Sequence, residues 1–585
     1  MKNRLALLVC AAAISCAQDY PLGPDSQPQS GVPKGAVTKV TLAPGRFYPG
    51  TPHNYSVYVP AQYEAARPTP FMIFLDGSGR LGNGERVPVV FDNLIAKHDL
   101  PPMIGIFVDP GVLPAASEQA QSRFERVFEY DSLSDRYSRF LLEELIPEVA
   151  KKYNLSKDPN DRGLMGVSTG AVGAFAAAWN RPDQFHRVLS FIGTFVAMKG
   201  ADGLPALIRK TEPKPIRIFL QEGKNDHVVA GQPYGTFYAG SWPINNQVIY
   251  EAFQFAGYDA KLVMGEEGHN MKQGGSIMPD ALRWLWRDYP KPIVAREPEA
   301  MGQPGWDTRG KVYSTVWADK PWEQVGSTYG PLAGIAPDRE GNVFFADPAA
   351  NRIYRSDSVG KVSIFKDNTS GAAALRIGAD ARLYAAQPGR KGIVSYGASG
   401  DEKVVAQNVD VTDFAITAKG AIYFTDKARK TVGLVGKGSA VQDEMAAPAG
   451  VTLSGDQAML VATDAQSRFS WSFQILPDGS LGNGEPFYRL EMPESGWMSG
   501  VAGVAQDAIG QVYFATPLGI QVCEANGRVA MILNPPEHGS VSAIAFGGKE
   551  LNWLYAIEGG KIFRRPVKVK GVAGWEVVKL PKPRL

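Results

Sequence analysis

Apolar and polar positions along this chain change their spacing part-way, and the change separates two architectures. In the first half, Tyr55, Val57 and Val59 alternate with polar neighbours, as a half-buried antiparallel strand requires. Phe71-Met72-Ile73-Phe74-Leu75 and the stretch 103–108 are unbroken apolar runs, the signature of strands buried on both faces. Helical spacing follows. The segment 89–96 fits one helix, and Tyr137, Phe140, Leu141, Leu145 and Val149 place an apolar stripe on a long helix over 133–153. Strands are predicted again at 187–195, 216–220 and 261–264, with a helix around 279–286. Alternating strands and helices of this kind predict a mostly parallel sheet covered on both faces.

Beyond a connection at 291–322, rich in Pro, Gly and charge, helical periodicity disappears. One short motif then recurs: Gly341-Asn342-Val343-Phe344-Phe345-Ala346-Asp347, Ala381-Arg382-Leu383-Tyr384-Ala385-Ala386, Gly420-Ala421-Ile422-Tyr423-Phe424-Thr425-Asp426, Ala458-Met459-Leu460-Val461-Ala462-Thr463-Asp464, Gly510-Gln511-Val512-Tyr513-Phe514-Ala515-Thr516 and Asn552-Trp553-Leu554-Tyr555-Ala556. A spacing of roughly 40 residues is that of four-stranded propeller blades. Six copies predict a six-bladed β-propeller over 323–585. A β-sandwich has no reason to repeat one segment so regularly. The pentapeptide Leu-Gly-Asn-Gly-Glu also occurs twice, at Leu81 and Leu481, but Asn-Gly is turn chemistry and implies no shared function.

Length and charge narrow the functional classes. The 585 residues exceed what one core holds, so a multidomain chain is expected. Residues 1–17 read as a secretory signal: Lys2 and Arg4, an apolar run over 5–14, then Ser15-Cys16-Ala17 as a cleavage site. Export to the periplasm or medium follows as an expectation. A lipoprotein site at Cys16 is the weaker alternative, because Ala13 is a poor start for that motif. Residues 18–35, rich in Pro, Gly, Ser and Gln, are expected to be loose. Cys10 and Cys16 fall within the signal, leaving Cys523 without an internal disulfide partner. Removing Lys2 and Arg4 takes the formal charge from +2 to about zero. A neutral chain without basic runs argues against nucleic acid as a partner, and no later stretch is long and apolar enough for a transmembrane segment.

The candidate chemistry centres on Gly166-Val167-Ser168-Thr169-Gly170. A Gly-x-Ser-x-Gly run forces a sharp strand-to-helix turn from which one serine hydroxyl projects. The helix that follows aims its first N–H groups at the space where an oxyanion forms. Two later segments lie at strand ends, where groups gather in such sheets. One is Gln221-Glu222-Gly223-Lys224-Asn225-Asp226-His227, and the other is Gly265-Glu266-Glu267-Gly268-His269-Asn270. The order serine, acid, histidine is that of a catalytic triad on an α/β sheet. Of six histidines, His269 alone sits in a Gly-flanked loop at a late strand end, and His227 is its nearest rival. Asp226 is the favoured acid, with Glu222 as the alternative. Oxyanion donors are expected from the N–H of Thr169 and from Gly77 or Ser78, in the glycine loop after the apolar run 71–75.

Residues 36–290 resemble the putative-esterase branch of the α/β-hydrolases, which includes enterochelin esterases, feruloyl esterases and antigen 85 proteins. The resemblance rests on Phe74-Leu75-Asp76-Gly77, Phe128-Glu129-Tyr130-Asp131, Ile146-Pro147-Glu148-Val149, the serine motif, Gly223-Lys224-Asn225-Asp226, and Gly268-His269-Asn270 ahead of Ala281-Leu282-Arg283-Trp284-Leu285-Trp286. It implies an α/β-hydrolase fold with Ser168, Asp226 and His269 as nucleophile, acid and base. It also implies a small-molecule or carbohydrate ester substrate and no cofactor. Ser241-Trp242-Pro243 with Asn246-Gln247 resembles a pocket-side segment of those relatives, which makes Trp242 a candidate substrate contact, with a core tryptophan as the equal alternative. Residues 329–565 resemble the SMP-30/gluconolactonase family, whose propellers hold a divalent metal in the channel and hydrolyse sugar lactones. Here the metal pattern departs: Tyr329-Gly330-Pro331, Thr412-Asp413, Pro448-Ala449-Gly450 and Ala502-Gly503 stand at its positions. One carboxylate does not supply the oxygen set a divalent cation needs, so no metal is expected. The expectation is a serine esterase with an accessory propeller. Its rivals are a propeller lactonase and a non-catalytic binding protein.

Overall fold

The computed structural model describes residues 19–82, 84–227, 240–297, 311–437, 440–442 and 445–582. The expected signal at 1–17, with Cys10 and Cys16, and residues 298–310 of the expected connection lie outside them. Two compact units form. The first takes its described residues from Met1–Leu204, Ile216–Glu251 and Asp259–Ile293. The second takes them from Pro205–Pro215, Ala252–Tyr258 and Val294–Leu585.

In the first unit the apolar runs become the middle of an eight-stranded sheet. Its strands are β1 (Ala36–Leu42), β2 (His53–Val59), β3 (Phe71–Leu75), β4 (Ile104–Val108), β5 (Arg162–Val167), β6 (Arg187–Phe191), β7 (Arg217–Gly223) and β8 (Asp259–Gly265), in the order β1-β2-β4-β3-β5-β6-β7-β8. Only β2 runs against the rest: it pairs antiparallel with β1 and β4, and all later pairings are parallel. Every residue of β3, β4, β5, β6 and β7 is buried. Helices cover these strands, which is why they read as continuous apolar runs rather than alternating ones. One face packs Phe74, Phe107, Met165, Leu189 and Phe219 against Phe91, Leu94, Leu282 and Leu285 of helices Val87–Ala96 and Lys272–Trp286.

Local differences from the sequence reading have physical causes. The helix expected over 133–153 begins at Arg136 and carries a π-helical turn, Leu141–Leu145, between Arg136–Phe140 and Ile146–Ala150. Pro147 has no N–H and its ring crowds the carbonyl four residues back, and the wider turn relieves both. The strand expected over 187–195 stops at Phe191, because Ile192 turns to φ +43°.

The second unit is a six-bladed propeller of four-stranded sheets. The recurring motif of the sequence is the second strand of each blade: Val343–Asp347, Leu383–Gln387, Ile422–Asp426, Met459–Asp464, Val512–Thr516 and Trp553–Glu558. Its terminal acids are structural. Asp347 accepts the N–H of Gly330 and Ala350, and Asp464 accepts those of Ala446, Ala447 and Gln466. The last blade is completed by Glu323–Val325, which pairs antiparallel with Lys561–Pro566 and closes the ring with chain from its beginning. The second Leu-Gly-Asn-Gly-Glu pentapeptide lies in an outer strand, Leu481–Arg489, where it makes no turn.

Candidate active site

The serine motif is built as its glycines demand. Ser168 lies between β5 and the helix Thr169–Asn180 at φ +59°, ψ −125°, a backbone conformation costly for a residue with a Cβ. Gly166 permits the turn: a Cβ there would lie 1.9 Å from the carbonyl oxygen of Gly170. Neighbouring chain holds the strained residue from both sides. Ser168 N–H donates to Phe191 O at 3.0 Å, and Thr194 N–H donates to Ser168 O at 3.2 Å.

Two loops at the ends of β7 and β8 close over this turn. Lys224 N–H donates to Gly265 O at 2.8 Å and Asn225 N–H to Glu267 O at 3.2 Å. Gly223 makes that approach possible, since a Cβ there would sit 2.0 Å from Glu267 O. The result is a hydrogen-bonded row. Nε2 of His269 lies 3.0 Å from Oγ of Ser168, and its Nδ1 lies 2.8 and 2.9 Å from the two oxygens of Asp226. Asp226 is fully buried, whereas the His269 side chain is 24% exposed.

The rival residues separate clearly. His227 stands 4.0 Å by Nε2 from Oδ1 of Asp226, and its ring lies 4.5 Å from that of His269 without reaching the serine. Burial and the neighbouring His269 hold its pKa below the ordinary imidazole range, against the pull of Asp226. One ligand atom each from Asp226, His227 and His269 falls within 4.8 Å of the others. His269 is nevertheless engaged by Nδ1 with Asp226 and by Nε2 with Ser168, so neither ring nitrogen is left for an ion. Glu222 does not touch His269 directly. It lies fully buried behind Asp226, and burial with the adjacent Asp226 charge pushes its pKa up to about 10. Trp242 is buried at the start of helix Trp242–Ala256; its Nε1–H donates to Thr194 Oγ1 at 3.3 Å and its ring meets that of His269 edge-on at 5.9 Å. That burial is what the core-tryptophan alternative for Trp242 describes.

The expected oxyanion donors divide. Ser78 N–H is already taken by Asp109 Oδ1 at 2.8 Å, which corrects its inclusion. Thr169 and Gly77 both open helices, where the first N–H groups have no intrahelical acceptor. Sequence reasoning missed Arg126, whose guanidinium forks onto Asp76 at 2.7 and 2.8 Å and also donates to Val167 O at 3.2 Å. It therefore ties the residue before Gly77 to the residue before Ser168. Thr194 was missed too; its Oγ1 lies 3.1 Å from Oγ of Ser168. Neither residue belongs to a spacing pattern that a sequence displays.

Residues 48–278 match the family described as Putative esterase, and residues 334–557 match the SMP-30/Gluconolactonase/LRE-like region. The first unit carries an esterase-family domain. The match supports a carboxylic ester hydrolase, and the second unit is a gluconolactonase-like propeller. A relative is the uncharacterized protein YbbA of Bacillus subtilis (strain 168), 21% identical over 176 residues, 30% of this chain and 68% of that protein. Among solved structures, the enterobactin esterase of Shigella flexneri is similar at 18% identity and a TM-score of 0.35, covering 46% of this chain and 63% of its own. A gluconolactonase of Xanthomonas campestris is similar at 19% identity and a TM-score of 0.39, covering 44% and 93%.

The propeller channel does not fit the metal of that family. A cavity of about 200 Å³ there is lined by Thr412, Asp413, Ala449, Gly450, Ala502 and Gly503, among other residues. The carboxylate of Asp413 is paired with Arg376 at 2.8 Å and accepts Val451 N–H at 3.0 Å. A cationic guanidinium against the one acid, with alanine and glycine around it, is not an oxygen cage for a divalent ion. No helix among the described residues is long and apolar enough to cross a membrane.

Proposed function

We propose that the esterase domain is a serine hydrolase that forms an acyl-enzyme on Ser168. The observation that carries this reading is the row Ser168–His269–Asp226, with contacts of 3.0 and 2.8 Å. Oγ of Ser168 attacks the ester carbonyl carbon while its proton passes to Nε2 of His269. The carbonyl oxygen becomes an oxyanion facing the N–H groups of Thr169 and Gly77. Collapse breaks the bond to the leaving alkoxide, which takes the proton from His269 and departs as alcohol. Water then attacks the acyl-enzyme, again yielding a proton to His269. The second collapse frees the acid and returns the proton to Ser168. Asp226 keeps Nδ1 protonated and stabilises the imidazolium without itself taking a proton.

The substrate class we assign is an acylated carbohydrate, phenolic or siderophore-like ester, acted on outside the cytoplasm after removal of residues 1–17. The propeller serves as an accessory ligand-binding domain without lactonase chemistry. A panel of acyl esters and sugar lactones, assayed with wild type and Ser168→Ala and with and without chelator, tests the whole reading. Ester turnover that vanishes in Ser168→Ala and ignores chelator is expected. Lactone turnover lost to chelator but untouched by Ser168→Ala would move the activity to the propeller. Fluorophosphonate labelling of Ser168 checks the nucleophile, and N-terminal sequencing of the exported protein checks the cleavage site.

A further inference from the structure

Glu222 is the last-but-one residue of β7 and is fully buried. Its Oε1 accepts the N–H of Gly223 at 2.8 Å, and its Oε2 accepts Nδ2–H of Asn246 at 2.6 Å. Asn246 is also fully buried, and its Nδ2 lies within hydrogen-bond distance of Gly193 O at 2.8 Å and Trp242 O at 3.1 Å. The amide that holds Glu222 is therefore itself fixed from two elements. The other side-chain partner of the Glu222 carboxyl is the carboxyl of Asp226. No arginine or lysine pairs with Glu222 among the described residues.

Two carboxyl groups in contact within a buried site do not both ionise, because each charge opposes the other and neither is hydrated. Which one keeps the proton follows from the surroundings. Asp226 faces the Nδ1–H of His269 at 2.8 Å, a donor that rewards a negative oxygen. Glu222 faces two neutral donors and an anion. We propose that Glu222 is a protonated positioning residue, donating its O–H to Asp226 and fixing the carboxylate that orients His269. The proposal rests on the serine-hydrolase reading and adds a fourth member behind its acid.

The other titratable groups nearby do not alter this assignment. His227 stands beside Asp226, 4.0 Å by Nε2 from its Oδ1. In the loop from β8, Glu266 pairs with Lys224, and Glu267 turns to Asn270 and Lys272. From helix Trp242–Ala256 the group that reaches Glu222 is the neutral amide of Asn246, which also donates toward Gly193 O and Trp242 O.

The test compares kcat and KM across the neutral to alkaline range for wild type, Glu222→Ala and Glu222→Gln, with Ser168→Ala as background. Circular dichroism verifies that each variant is folded. Glu222→Ala leaves Asp226 without its donor, and kcat is expected to fall about tenfold or more with KM little changed. Glu222→Gln, neutral with an N–H to offer, is expected to recover most of that loss. In wild type, activity is expected to decline on the alkaline side, where Glu222 gives up its proton and the two carboxylates repel. That decline is expected to be absent in Glu222→Gln. An identical alkaline decline in Glu222→Gln, or wild-type kcat in Glu222→Ala, overturns the proposal. Should Glu222→Ala fail to fold, the alkaline profile of Glu222→Gln decides alone. Failure of the serine reading looks different: Ser168→Ala would then stay active, or Ser168 would resist fluorophosphonate in wild type.

Discussion

Replacing Asp226 by Asn changes one atom, and the structure lets its effect be worked out. The Asp226 carboxylate is fully buried and meets Nδ1 of His269 at 2.8 and 2.9 Å. In the proposed mechanism Ser168 gives up its proton to His269, and the imidazolium sits about 4 Å from that charge. At an effective dielectric near 20 the pair is worth about 4 kcal/mol. Asparagine removes it. Its amide can also donate to Nδ1, which leaves the proton on Nε2, facing Ser168, where it blocks the base. The charge alone accounts for roughly a thousandfold, and the wrong tautomer brings the expected loss in kcat to about 10⁴-fold. Steady-state hydrolysis of a short-chain ester measures it, with fluorophosphonate labelling rate as a second reading of serine activation. Thermal midpoints should stay near wild type, since shape and volume are kept. Retention of more than a tenth of the activity would show that Asp226 is not the group holding the histidine, and the reasoning would fail.

Three further outcomes are expected. Arg126→Lys keeps a charge but loses the fork that joins Asp76 to Val167 O, so the two proposed oxyanion donors drift apart; kcat should fall about 10- to 100-fold with KM nearly constant, and an equal rise in KM would contradict this. In the propeller, burial raises the Asp507 pKa from 3.8 to about 6, above its unfolded value. Stability from this group is therefore complete below its unfolded pKa and lost as pH rises through its folded one, about 3 kcal/mol in all; calorimetry of Asp507→Asn should lack that slope. Calcium, manganese or chelator should leave the propeller midpoint unchanged, whereas Arg376→Met strips Asp413 of its partly buried partner and costs roughly 1–3 kcal/mol; a cation-dependent rise in midpoint would refute the channel reading.

Much of the architecture was legible because burial writes itself into residue type. A strand covered on both faces must be apolar throughout, so Phe71–Leu75 and Ile104–Val108 stood out. A blade cannot bury its face alone, so the same second strand had to recur six times. The π-turn at Leu141–Leu145 did not stand out. Pro147 announces a disturbance within a helical stripe, but the direction in which the backbone yields depends on what the helix packs against. At the candidate site the residue types and their order along the chain were readable, while the neighbours were not. Ser78 carries the right backbone group, yet Asp109, thirty-one residues later, occupies it.

What the sequence determined by itself is whatever periodicity and backbone rules govern: which runs lie inside, where glycine lets two backbones meet, and which serine a strained turn presents. Only the tertiary structure decided how carboxyls are shared out. Whether Asp226 or Glu222 faces His269 depends on which way each leaves the end of β7, and both lie within four residues. It likewise put Arg376 against Asp413 from another blade, thirty-seven positions away. Charge and hydrogen bonding act over a few ångströms of space, and chain distance carries no measure of that.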